Sequence, residues 1–264
     1  MVTISIDPIL FSIAHLQIRW YGLIISIAAI CGVYIAAREV KRKGFNPDQF
    51  DDAGVWILIS GLVGARLLHV IDHWNDIYSA NPLQALFIWE GGLAIWGGIL
   101  GGLIAAYIIA RMRHWRFPKF LDAIVPGVVL AQAIGRAACI ITGDAVGKPT
   151  SGPFGLAYTN PNAMVPKLGV FYTPIPVYEI LMNLGIFTLI WNLHKKNLPE
   201  GALTLIYLVL YSIGRLVIGF TSSYKVISMG LTQSQIISVL VLIVSLPLIV
   251  IVLKQNKLKM AGRK

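Results

Sequence analysis

LDAIVPGVVLAQAIGRAACIITGDAVG, residues 121–147, decides how this chain is read. Residues 121–142 form an apolar run, and a helix of about twenty such residues crosses a bilayer core. Arg136 interrupts the run, Gly143 is placed to end the helix, and Asp144 follows. An arginine at mid-bilayer costs about 2.5–3.5 kcal/mol, so it calls for a partner, water or a function.

The rest of the chain repeats the pattern. Of 264 residues, 56% are hydrophobic and 13% charged, against roughly a quarter charged in soluble domains. Apolar stretches at about 20–37, 54–73, 91–110, 121–142, 176–193, 202–220 and 233–253 predict seven transmembrane helices. The expected fold is an all-α polytopic membrane protein, with residues 1–264 as one membrane domain. The first twenty residues, MVTISIDPILFSIAHLQIRW, lack a basic n-region and a small-residue cleavage site. They read as an amphipathic interfacial segment and not as a removable signal peptide. Residues 143–175, rich in Pro, Gly and Tyr, form the longest connection, and loops of that length usually carry function.

Charge sets the orientation. Arg38, Lys41, Arg42, Lys43, Arg111, Arg113, Arg116, Lys119, Lys195 and Lys196 fall in connections on one side, with the basic tail from Lys254 to Lys264. Arg19, Lys148, Lys167 and Lys225 fall on the other. The positive-inside rule puts the N-terminus outside and the C-terminus in the cytoplasm. The net charge of +10 is explained by these loops, and no nucleic-acid partner is implied. Cys31 and Cys139 both lie inside apolar runs, with neither metal-ligand spacing nor a disulfide framework. Gly97 and Gly101, and Gly98 and Gly102, are four apart, a spacing that lets helix backbones approach closely.

Three arginines belong to no loop. Arg66, Arg136 and Arg215 sit on the second, fourth and sixth spans, each five to seven residues before the expected outer end. That is about 8–10 Å of helix. The inward-running spans place Tyr21, Glu90, Trp96, Tyr178 and Glu179 at similar levels, and His69 and His73 share a helical face with Arg66. Guanidinium matches phosphate through bidentate hydrogen bonds. The pattern therefore predicts one anion-receiving pocket that takes a phospholipid headgroup from the outer leaflet.

The motifs RWYG (19–22), GARL (64–67), WEGGLAIWGG (89–98), GRAACIITGDAVG (135–147), PIPVYE (174–179), YSIGR (211–215) and SMGLTQSQ (228–235) run in series over nearly the whole chain. In order and spacing the chain resembles the phosphatidylglycerol–prolipoprotein diacylglyceryl transferases of bacterial inner membranes. The resemblance implies transfer of a diacylglyceryl group from phosphatidylglycerol to the lipobox cysteine thiol of a preprolipoprotein, releasing glycerol-1-phosphate, with no cofactor and no metal. It implies that Arg136 binds phosphatidylglycerol, that Arg215 is the essential arginine of the late span, and that Tyr21 and Gly147 are signature residues. Asp144 completes the catalytic set, with Arg66, Glu179, Trp96 and His69 as further substrate-binding candidates. Cys139, Thr142 and Asp144 stand where the family signature commonly has Asn, Asn and Glu, and Trp96 where many members have His. Asp144, Glu179, Tyr21 and His69 are all open as general base. Two other readings fit the same cations: a divergent family member acting on another lipid or acceptor, and an anion or lipid transporter. A conducting path calls for polar groups through both leaflets, and the inner halves of these spans are almost wholly apolar.

Overall fold

The computed structural model describes residues 1–13, 16–88 and 91–261. Trp89, Glu90, Arg263 and Lys264 from the sequence reading lie outside them. Among the described residues, seven helices are long and apolar enough to cross a membrane, as expected for a polytopic helical protein: α1 (Trp20–Arg42), α2 (Pro47–Asp72), α3 (Ile95–Met112), α4 (Phe117–Thr142), α5 (Ile175–Leu193), α6 (Ala202–Gly219) and α7 (Gln233–Ala261). The chain divides into two compact units, residues 37–120 and residues 1–36 with 121–264.

In the 37–120 unit, α2 starts at a cap that the sequence prescribes. The Asn46 side chain accepts from the Asp48 N–H at 2.9 Å, and Pro47 takes the first helical position, where no N–H is missed. Helices α2 and α3 then meet through small residues. A Cβ on Gly64 would strike the Gly97 carbonyl and come 3.1 Å from the Gly101 Cα. The spacing seen in the sequence at Gly97 and Gly101 is thus a backbone-to-backbone contact, in which dispersion and not solvent exclusion holds the pair. Helix α3 begins at Ile95, four residues later than the hydropathy suggests. Gly91 and Gly92 take φ of +92° and +75°, a left-handed conformation that no helix continues through. Between α2 and α3 the chain makes a π turn at Trp74–Tyr78 and a 3-10 turn at Pro82–Leu86.

In the other unit, Val125 and Val129 of α4, Ile186 and Ile190 of α5, and Leu203 and Tyr207 of α6 form an apolar core. Helix α1 joins α4 where Gly32 faces Gly127, again without room for a side chain. At one end of this core Asp122 caps α6, accepting from the Gly201 N–H at 2.7 Å, the Thr204 N–H at 2.8 Å and the Thr204 hydroxyl at 2.7 Å. The buried Gln235 ties the start of α7 to α6. Its Oε1 accepts from the Thr232 N–H at 3.0 Å, a capping box, while Nε2 donates to the Leu216 carbonyl at 3.1 Å.

The N-terminal segment is built from extended strands. β1 (Val2–Ile4) runs parallel to β4 (Leu156–Tyr158), and β2 (Ile9–Ile13) pairs antiparallel with β3 (Leu16–Arg19). A third small ladder, β5 (Val226–Ser228) with β6 (Leu231–Thr232), links α6 to α7. The Gly147 N–H donates to Thr173 O and the Lys148 N–H to Thr221 O, both at 2.9 Å. These straps bring the end of α4, the start of α5 and the end of α6 to one level.

Candidate functional site

Three charged side chains lie near that level. Glu179 lies four residues into α5, Arg215 four residues before the end of α6, and Arg136 six before the end of α4. Along a helix these are about 6–9 Å from the strapped end. Arg136 Nε lies 2.5 Å from Glu179 Oε2, and Arg215 Nη1 pairs with Glu179 Oε1. One carboxylate, 1% exposed, bridges two guanidiniums whose side chains are 29% and 14% exposed. Buried ionised groups survive in a protein interior when they are paired in this way. The bridge occupies part of each fork; guanidinium carries five N–H donors, so others are left to face a ligand.

Around this pair stand the signature residues. Arg136 Nη1 lies 3.8 Å from Cys139 Sγ, and Tyr21 and Cys139 are each within electrostatic reach of both Asp144 and Arg136. Gly143 takes φ +73° and its N–H returns to Cys139 O at 3.0 Å, ending α4 as the sequence suggests. Asp144 is exposed beyond that turn and accepts from the Thr142 hydroxyl at 2.8 Å. Beneath it the Tyr158 hydroxyl donates to Ile140 O at 2.9 Å. Burial pushes this phenol above the ordinary tyrosine range, and the nearby Asp144 adds to the shift. Gly147 has no room for a side chain: a Cβ there would lie 2.7 Å from Thr221 O and 2.8 Å from Thr173 Cβ. Sequence reasoning passed over Tyr211 and Tyr224 as neighbours of Arg136. Tyr211 precedes Arg215 by four residues and so shares its face, a signal that was available.

Arg66 and His69 lie in the 37–120 unit, and their surroundings differ in kind. Arg66 is 7% exposed, and its N–H groups reach five backbone carbonyls. Nε donates to Ala85 O at 2.9 Å, Nη1 to Gly91 O at 2.6 Å and Gly92 O at 3.0 Å, and Nη2 to Gln84 O at 2.6 Å and Phe87 O at 3.2 Å. Its guanidinium also sits 5.4 Å from the centre of the Tyr78 ring. His69 stacks on His73 at 4.3 Å and borders a cavity of about 160 Å³ shared with Arg66, Tyr78, Gln84 and Gly92. Trp96 is half-buried on the first turn of α3.

Residues 8–251 match the family described as prolipoprotein diacylglyceryl transferase. The chain belongs to that family. A phosphatidylglycerol–prolipoprotein diacylglyceryl transferase of Dehalococcoides mccartyi is 36% identical over 258 residues, 97% of this chain and 98% of that protein. Proteins of the same name from Trichormus variabilis (36% over 220 residues, 80% and 77% of the two chains) and Staphylococcus aureus (32% over 249 residues, 93% and 88%) are also similar. Family membership accounts for the seven spans. The arginine pair and its carboxylate come from three helices, within the segments GRAACIITGDAVG, PIPVYE and YSIGR.

Proposed function

We propose that this chain is a membrane transferase that moves the diacylglyceryl group of phosphatidylglycerol onto the lipobox cysteine thiol of a preprolipoprotein. The pairing of Arg136 and Arg215 across the buried Glu179 carries the reading. The two cations hold the phosphodiester. The peptide thiolate attacks the glyceryl carbon, an S–C bond forms and the C–O bond to phosphate breaks. The electron pair leaves on the phosphate oxygen as glycerol-1-phosphate, where Arg136 and Arg215 stabilise the developing charge in a water-poor setting. The thiol proton goes to a base. Asp144, exposed and within electrostatic reach of Tyr21 and Cys139, is the carboxylate best placed to take it, since both oxygens of Glu179 face arginines.

Gly147 and its strap to Thr173 keep the substrate-facing wall in place. Arg66, His69 and Trp96 are further substrate-binding candidates within their own unit, Arg66 by shaping the loop whose carbonyls it binds. The excess of Lys and Arg in the connections after α1, α3 and α5 and in the tail supports an outside N-terminus and a cytoplasmic C-terminus in a bacterial inner membrane.

The test is transfer by purified protein supplied with phosphatidylglycerol vesicles and a lipobox peptide, read by the peptide's mass. Arg136→Ala is expected to lower the rate about 10²–10³-fold, the loss typical of one charge-stabilising donor, while the protein still inserts. Undiminished transfer by that variant removes Arg136 from the mechanism.

A further inference from the structure

Why should a site for an anion bury a carboxylate between its two cations? Glu179 is 1% exposed and touches both guanidiniums, so it takes no share in solvation. Within this ion-paired cluster, Arg136 and Arg215 contribute two positive charges and the buried Glu179 removes one. Asp144 is exposed and bonded to the Thr142 hydroxyl, so it is not counted in that ion-paired cluster. Lys148 is exposed as well, and its ammonium donates to Phe220 O at 3.0 Å.

The reaction changes the charge of the group held there. A phosphodiester such as phosphatidylglycerol is a monoanion. Its product is a phosphate monoester, which carries about −1.5 to −2 at pH 7 because its second pKa is near 6. A site of charge +2 would bind that product more tightly than the substrate and be slow to release it. A site of +1 matches the substrate and gains less from the product's extra charge. This rests on the transferase reading above.

We propose that Glu179 is a positioning residue that sets the arginine pair to a net charge of +1, so that the site accepts a phosphodiester and lets the phosphomonoester go.

The experiment compares two competitors of phosphatidylglycerol in the transfer assay at pH 8: glycerol-1-phosphate, a dianion, and its methyl ester, a monoanion. The quantity read is the ratio of their inhibition constants. In Glu179→Gln the ratio is expected to shift at least about tenfold toward the dianion, since loss of one buried negative charge raises the pair from +1 to +2. A purely structural loss would weaken both competitors alike and leave the ratio unmoved. Glu179→Asp keeps the charge and is expected to retain the native ratio whatever it does to the rate. If Glu179→Gln transfers too slowly to assay, the same ratio is read by calorimetric binding of the two competitors to the detergent-solubilised protein. An unchanged ratio in Glu179→Gln, or an equal shift in Glu179→Asp, overturns the inference. If the native protein neither transfers nor binds either competitor, it is the transferase reading that fails, and this inference with it.

Discussion

Replacing Arg66 with lysine keeps the charge and separates two roles that a buried arginine can have. Arg66 donates to the carbonyls of Gln84, Ala85, Phe87, Gly91 and Gly92. An ammonium has three donors radiating from one nitrogen, so at least two of those five carbonyls lose their partner. Hydrogen bonds to charged groups contribute about 1.5–3 kcal/mol each, which puts the local loss at about 3–6 kcal/mol. Opening of the 82–88 segment then becomes easier by roughly two to four orders of magnitude. Hydrogen exchange by mass spectrometry, on protein in detergent without lipid substrate, reads this directly. The Gln84 and Phe87 amides, bonded to Asn81 O and Gln84 O at 3.1 Å, are the probes. Peptides from the middle of α3 serve as the internal control. Native-like protection of residues 82–88 in Arg66→Lys, with only the affinity for phosphatidylglycerol reduced, refutes the anchoring role and returns Arg66 to the phosphate.

Two further outcomes follow from the strapped end. Gly147→Ala must displace Thr221 O or Thr173, and overpacking of this kind costs about 1–3 kcal/mol. It is expected to lower the thermal midpoint in detergent by several degrees and to reduce transfer, and an unchanged midpoint would show that the strap yields freely. Asp7 accepts from the Ile9 N–H at 2.8 Å and from the Asn162 amide at 3.2 Å, which hold its carboxyl below the usual range. Because the folded value is the lower one, this contribution is complete above about pH 4, the unfolded value, and fades as pH falls through the folded one. Solution spectra of the Asn162 side-chain amide should change in that acidic window in the native protein and not in Asp7→Asn.

Much of the architecture was legible because the signals that build it are local. Hydropathy over twenty residues is a property of the segment itself, and it found all seven helices. Gly143 and Gly97 announced a helix end and a close approach because each needs only the absence of a Cβ. The start of α3 was misjudged for a related reason. Hydropathy does not register backbone conformation, and Gly91 and Gly92 use positive φ where their composition merely looks apolar. The extended N-terminus was equally hidden, since β1 owes its form to a partner more than 150 residues away.

The sequence by itself determined a chain that crosses a membrane repeatedly and places guanidiniums where hydrocarbon would be expected, because burial of apolar surface and the cost of charge in lipid depend on composition along the chain. Only the tertiary structure decided what each guanidinium meets. Arg66 and Arg136 look alike in their segments, GARL and IGRA. One is surrounded by the carbonyls of a loop and the other shares a carboxylate with Arg215. A hydrogen-bond partner is chosen by where distant parts of the chain pass within about 3 Å, and no pattern along a single helix contains that distance.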